Sequence, residues 1–197
     1  MQKPPRAFLP CLSALEAAHL PHSEPVRQAG FGGGAERWRA ERAPILDAVD
    51  RSGTLLDVGC ASGLLMESVA LWCAERGLRV EPFGLDIAPE LAALARSRLP
   101  RWADRVFDGN AASWTPPFRF DVVRTGLDYV PRARRPALLR HLLSRAVAPG
   151  GRLLVGPFSE ERGAGPSAEE EARTWGFDVV GREERPHPRD DRVVRRL

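Results

Sequence analysis

From Thr54 onward, apolar residues gather in short runs, each closed by a turn and most followed by helical periodicity. Residues 54–58, 80–86, 105–107, 121–125, 152–158 and 177–180 read as six strands. Helices are predicted over 64–76, 89–98, 132–147 and 167–174. The first buries Leu64, Leu65, Val69 and Trp72 and stops at Gly77. Such alternation implies right-handed crossovers and a mainly parallel sheet covered on both faces, a three-layer α/β sandwich.

Upstream the pattern differs. Residues 1–30 carry five prolines around one apolar patch, Leu12 to Leu20, and read as a mobile arm with room for a helix of two turns. Gly30-Phe31-Gly32-Gly33-Gly34 is a flexible link, and a helix over 35–50 places Trp38, Ile45, Leu46 and Val49 on its apolar side. The chain thus divides into an N-terminal arm with a lid helix, 1–50, and an α/β domain, 51–197. Only a short loop, 159–166, follows the fifth strand, so the arm is the expected cover for any site.

Composition narrows this only a little. The 197 residues, 43% hydrophobic and 28% charged, suit one globular domain. No stretch approaches the ~18 apolar residues of a membrane span, and the proline-broken start lacks the form of a secretion signal. A cytoplasmic location without a membrane partner is expected. Cys11, Cys60 and Cys73 form no C-x-x-C pair, so neither a disulfide framework nor a metal site is expected. The net charge of +3 rests on arginines dispersed among 26 acids, which reads as compositional bias rather than a nucleic-acid footprint.

The chemistry begins at the end of the first strand. In Leu56-Asp57-Val58-Gly59-Cys60-Ala61-Ser62-Gly63, Gly59 and Gly63 with Ala61 between them let backbone pass close to a ligand, and the next helix points its free N–H groups into the same space. A dinucleotide turn needs G-x-G-x-x-G; counted from Gly59 it gives Ala61 and Leu64, which argues against NAD. Asp86, before Ile87 at the end of the second strand, offers a carboxylate to the two hydroxyls of an adenosine ribose. Asp108-Gly109-Asn110-Ala111-Ala112 follows the third strand, where an amide and a side-chain acceptor meet an adenine edge.

Together, the 57–63 turn, Asp86, the 109–111 turn, Phe120-Asp121-Val122-Val123 and Pro149-Gly150-Gly151-Arg152-Leu153-Leu154 resemble the class I S-adenosylmethionine-dependent methyltransferases, over roughly residues 53–181. The resemblance implies a Rossmann-like sandwich of strand order 3-2-1-4-5 with the last strands beyond. It implies S-adenosylmethionine as cofactor and S-adenosylhomocysteine as product. Asp57, Gly59, Cys60, Ala61 and Gly63 would hold the methionine part, Asp86 and Ile87 the ribose, and Gly109, Asn110 and Ala111 the adenine. Thr125 would face the amino-acid end. Ala61 replaces a glycine, which a negative φ would accommodate, and residues 192–197 are short and charged for a central last strand.

Methyl transfer from a sulfonium is an in-line displacement that depends chiefly on positioning, so no catalytic residue is assigned. The Asn/Asp-Pro-Pro-aromatic stretch of base methyltransferases is absent after the fourth strand. Phe31, Trp38 and Arg42 of the arm, with Asp128 and Tyr129, are the substrate-side candidates. The expected acceptor is a small molecule methylated on oxygen or nitrogen. Two alternatives stand beside it: an RNA methyltransferase using Arg132, Arg134, Arg135, Arg140 and Arg145, or an inactive methyltransferase-like binding protein. Oligomeric state is left open.

Overall fold

A computed structural model of the chain describes residues 9–156, 166–187 and 190–196. The start of the arm, Phe158 and residues 159–165 of the expected loop lie outside the described residues. Strands β1 (Gly53–Val58), β2 (Val80–Asp86), β3 (Val106–Asp108), β4 (Phe120–Thr125) and β5 (Val147–Val155) form one sheet in the order β3-β2-β1-β4-β5. Every neighbouring pair is parallel. The helices are α1 (Leu9–His19), α2 (Pro25–Gln28), α3 (Ala35–Arg42), α4 (Leu64–Glu75), α5 (Pro89–Arg98), α6 (Arg135–Arg145) and α7 (Ala168–Thr174). Among the described residues, no helix is long and apolar enough to cross a membrane.

Alternating strand residues feed two separate cores. Leu56, Val58, Leu85, Phe120 and Val123 pack against Leu138 and Leu142 of α6. Leu55 and Val122 pack with Leu65, Val69 and Trp72 of α4 and with Trp38, Ile45, Leu46 and Val49 from upstream. Each fully buried side chain of this size stabilises the fold by about 1.5–3 kcal/mol. Residues 38–49 therefore complete one layer of the sandwich.

Four expectations change. The 35–50 helix breaks at Ala43: α3 ends at Arg42 and a 3₁₀ helix runs Ala43–Ala48. Pro44 has no N–H to continue the ladder and its ring opposes the carbonyl four residues back. The 132–147 helix likewise starts as a 3₁₀ turn, Arg132–Arg134, with α6 proper opening around Pro136. The fifth strand begins five residues early, because Val147 already pairs with Phe120 before the register shifts.

The sixth strand at 177–180 is absent. Phe177 spends its N–H on the Ala172 carbonyl at the end of α7, Gly176 turns the chain at φ 82°, and Val180 is left exposed. Instead β6 (Glu184–His187) and β7 (Asp190–Arg196) pair antiparallel as a two-stranded sheet of their own. The last strands therefore do not extend the five-stranded sheet, in keeping with their charged sequence.

Candidate active site

The parallel register sets Asp57 of β1 beside Gly84 of β2, and Asp86 ends the neighbouring strand. Both carboxylates are buried at the carboxyl end of the sheet, where open α/β sheets bind ligands. Between them runs the glycine turn. Gly59 and Gly63 adopt φ 76° and 73°, conformations that a side chain would strain. The turn is tied to β2 by Gly59 N–H donating to the Leu85 carbonyl at 2.7 Å. A Cβ on Gly63 would stand 2.7 Å from the Leu99 side chain, so this glycine lets the turn pack closely on the end of α5.

Ala61 departs from expectation. Its φ is +45°, not negative, so the alanine sits in the left-handed region at a cost of about 1–2 kcal/mol. Its N–H donates to Asp86 Oδ2 at 2.8 Å, which holds the turn in that shape. Asp86 Oδ1 accepts from Ala88 N–H at 2.9 Å, so the carboxylate also shapes the start of α5. Each oxygen keeps a further lone-pair direction for a ribose hydroxyl. Burial raises the Asp86 pKa against the pull of these backbone donors.

The other predicted residues divide by geometry. Ile87 and Ala61 pack beside Leu12, Ala88 and Leu91. Gly109 donates its N–H to the Asp86 carbonyl at 2.8 Å, and a Cβ there would meet Trp114 at 2.9 Å: an indole stands against this turn. Asn110 turns its amide oxygen to Ala112 N–H at 3.0 Å, and Ala111 packs into the α6-side core. Cys60 contributes only backbone to the turn, because its thiol lies under it with Met66, Ala92 and Ala95. Burial pushes that thiol pKa well up, which removes it as a nucleophile. Thr125 is fully buried, its hydroxyl on the Gly126 carbonyl.

On the substrate side, Asp128 is exposed and Tyr129 is half-buried over Gly59. Trp38 is a core residue, with its indole N–H on Ser68 Oγ at 2.9 Å and Phe31 edge-on at 5.5 Å. Arg42 lies over both rings, 5.2 Å from Phe31 and 5.0 Å from Trp38.

The arm folds onto this end of the sheet. Leu12 of α1 packs on Ala88 and Leu91, and Ser62 Oγ donates to the Pro25 carbonyl at 3.4 Å. The His19 ring stands against Gly30, and its burial lowers the imidazole pKa against the opposing charge of Asp86.

Sequence reasoning missed Arg124. It sits across from Asp57 in the β1–β4 register and donates from Nη1 to Asp57 Oδ1 at 3.2 Å and to Tyr129 Oη at 3.0 Å. A charge inside a strand that otherwise reads Phe-Asp-Val-Val was the available signal. His141 of α6 is half-buried and bonds the Trp114 carbonyl at 2.8 Å.

Full burial outweighs Arg124 and raises the Asp57 pKa to about 6. Folded Asp57 then holds a proton more firmly than the unfolded chain. Its contribution to stability is complete below about pH 4 and is lost as the pH rises to about 6. Urea unfolding across that window should show a loss on the order of 2–3 kcal/mol. Asp57→Asn should flatten the slope; an unchanged slope would contradict this titration.

The fold and the glycine turn between two buried carboxylates define a nucleoside-cofactor domain of the methyltransferase type. A family model described as a methyltransferase domain matches residues 32–190. The chain belongs to that family of methyltransferase domains. No curated protein matches it.

Among solved structures, it is similar to magnesium protoporphyrin IX methyltransferase from Synechocystis PCC 6803, at 14% identity and TM-score 0.65, covering 100% of this chain and 98% of that one. A methyltransferase from Geobacter sulfurreducens in complex with S-adenosylhomocysteine aligns at 21% identity and TM-score 0.52, covering 93% and 75%. The 4+2 cyclase SpnF aligns at 25% identity and TM-score 0.53, covering 73% and 59%. The chain spans less than two thirds of two of its solved relatives, 58% and 59% of their lengths.

Proposed function

We propose that this protein transfers a methyl group from S-adenosylmethionine to an oxygen or nitrogen of a small molecule. The residues fit the cofactor at its nucleoside end. Asp86 presents a buried carboxylate with lone pairs left over, Ile87 and Ala111 supply apolar contact, and Gly109 keeps its turn clear of side chain. At the other end, the Tyr129 ring stands against Gly59, beside the backbone of the 59–63 turn. Bound there, the cofactor supplies an electrophilic methyl on a sulfonium. The protein's part is to orient, to exclude water and to hold the acceptor in line, worth up to ~7–11 kcal/mol of barrier.

The observation that carries the small-molecule reading is the arm. Leu12, Pro25 and His19 lie over the glycine turn and Asp86, a roof that suits a pocket of metabolite size. In the basic segment, where Arg132, Arg134, Arg140 and Arg145 are exposed, part of the charge is engaged within the protein. Arg132 and Arg135 both pair with buried Glu171, at 2.5 and 2.9 Å, and Arg140 bonds the Trp175 carbonyl at 3.0 Å. Glu171 offsets the charge of Arg132 and Arg135, which lowers what this face offers to phosphates.

A screen with methyl-labelled cofactor against extracted small metabolites and total RNA, at low and high salt, tests this. Label should enter small metabolites and depend on Asp128 and Tyr129. Salt-sensitive label on RNA, lost when Arg132, Arg134 and Arg135 become alanine, would overturn the acceptor class. Cofactor binding without label in any fraction would favour a binding protein.

A further inference from the structure

An interior strand of a parallel sheet is a poor place for a guanidinium. Arg124 is 3% exposed in β4, flanked by Val123 and Thr125, both fully buried. Desolvating such a charge is costly, and an apolar side chain of similar volume often serves stability as well or better. The use of the arginine therefore lies in what it holds.

One partner, Asp57, is its neighbour in the sheet. The other is Tyr129, five residues on and beyond the end of the strand. The Tyr129 ring touches two glycines. A Cβ on Gly59 would lie 2.6 Å from its Cζ, and one on Gly126 would lie 3.1 Å from the same atom. Glycine at both places lets the ring come close against the turn. Because the phenol oxygen accepts from Arg124, its own O–H is directed elsewhere as a donor. Asp57, Arg124 and Tyr129 thus form one chain from the end of β1 to the segment after β4.

The geometry points to Arg124 as a positioning residue: by anchoring the phenol of Tyr129 it fixes an aromatic wall over the glycine turn at the amino-acid end of the cofactor site. This rests on the function proposed above for the assignment of that end. The anchoring itself does not.

The chain has a single tyrosine, so carbon-13 tyrosine labelling gives one set of ring signals. In Arg124→Met these signals should move toward free-tyrosine values. S-adenosylhomocysteine affinity, measured by calorimetry, should fall about tenfold, while adenosine, which lacks the amino-acid end, should bind within about twofold of wild type. Arg124→Lys should recover part of both. Should Arg124→Met fail to fold, Tyr129→Phe removes only the phenol oxygen and should weaken S-adenosylhomocysteine roughly three- to tenfold with adenosine unchanged. Tyr129 signals unmoved in folded Arg124→Met would overturn the anchor. Equal losses for both ligands, or no loss for either, would overturn the positioning role. Wild-type protein that binds neither ligand would refute the cofactor reading instead, and the tyrosine spectrum would still judge the anchor.

Discussion

Replacing Asp86 by alanine is expected to lower stability by about 2–5 kcal/mol and to weaken S-adenosylhomocysteine at least about 100-fold. The first effect follows from two donors, part-buried Ala61 N–H and buried Ala88 N–H, that lose their acceptor together. Each orphaned group costs roughly 1–3 kcal/mol. Ala61 also loses the bond that holds its left-handed backbone, so the glycine turn itself should relax. The second effect follows from the two ribose hydroxyls assigned to this carboxylate, since bonds to a charged acceptor are worth about 1.5–3 kcal/mol each. Thermal melts with and without the ligand separate the two. Asp86→Asn keeps one acceptor oxygen and should recover much of the melting temperature but little of the affinity. A ligand-induced rise in Asp86→Ala equal to that of wild type would remove Asp86 from the site.

Trp38→Ala should cost about 3–5 kcal/mol, the ordinary toll of emptying a large buried aromatic site. Trp38 is 6% exposed among Ile45, Leu65, Val69 and Trp72, and it is pinned by Ser68. It also supports Phe31 and, across that ring, Arg42. The loss should therefore spread upstream, and limited proteolysis should cut before residue 35 faster than in wild type. Trp38→Phe keeps a ring but not the N–H and should lose less. A cost under about 1 kcal/mol would mean that this segment does not belong to the sandwich.

The sheet was readable because its strands are short apolar runs ended by glycine turns, and Asp57 and Asp86 fall at strand ends once those runs are placed. Pro44 and Pro136 were visible too, but periodicity carried both helices across them. The run at 177–180 has strand composition and lost its backbone to the end of α7, a tertiary choice that composition does not encode. Arg124 was harder. Its partner Asp57 lies 67 positions earlier, and only the β1–β4 register brings them together. The apolar side formed by Trp38, Ile45, Leu46 and Val49 was legible, but not what it would meet, since the residues that receive Ile45 and Val49 belong to α4 and β4.

That last arrangement has a bearing on synthesis. Ile45, Leu46 and Val49 leave the ribosome well before the last strand of the layer they complete. Val122, which closes that layer from β4, follows Val49 by roughly 70 residues, or about 4–15 s at roughly 5–20 residues per second. For that interval the nascent segment has only β1 and α4 to pack on, so chaperone occupancy on residues 38–49 should persist until β4 has emerged.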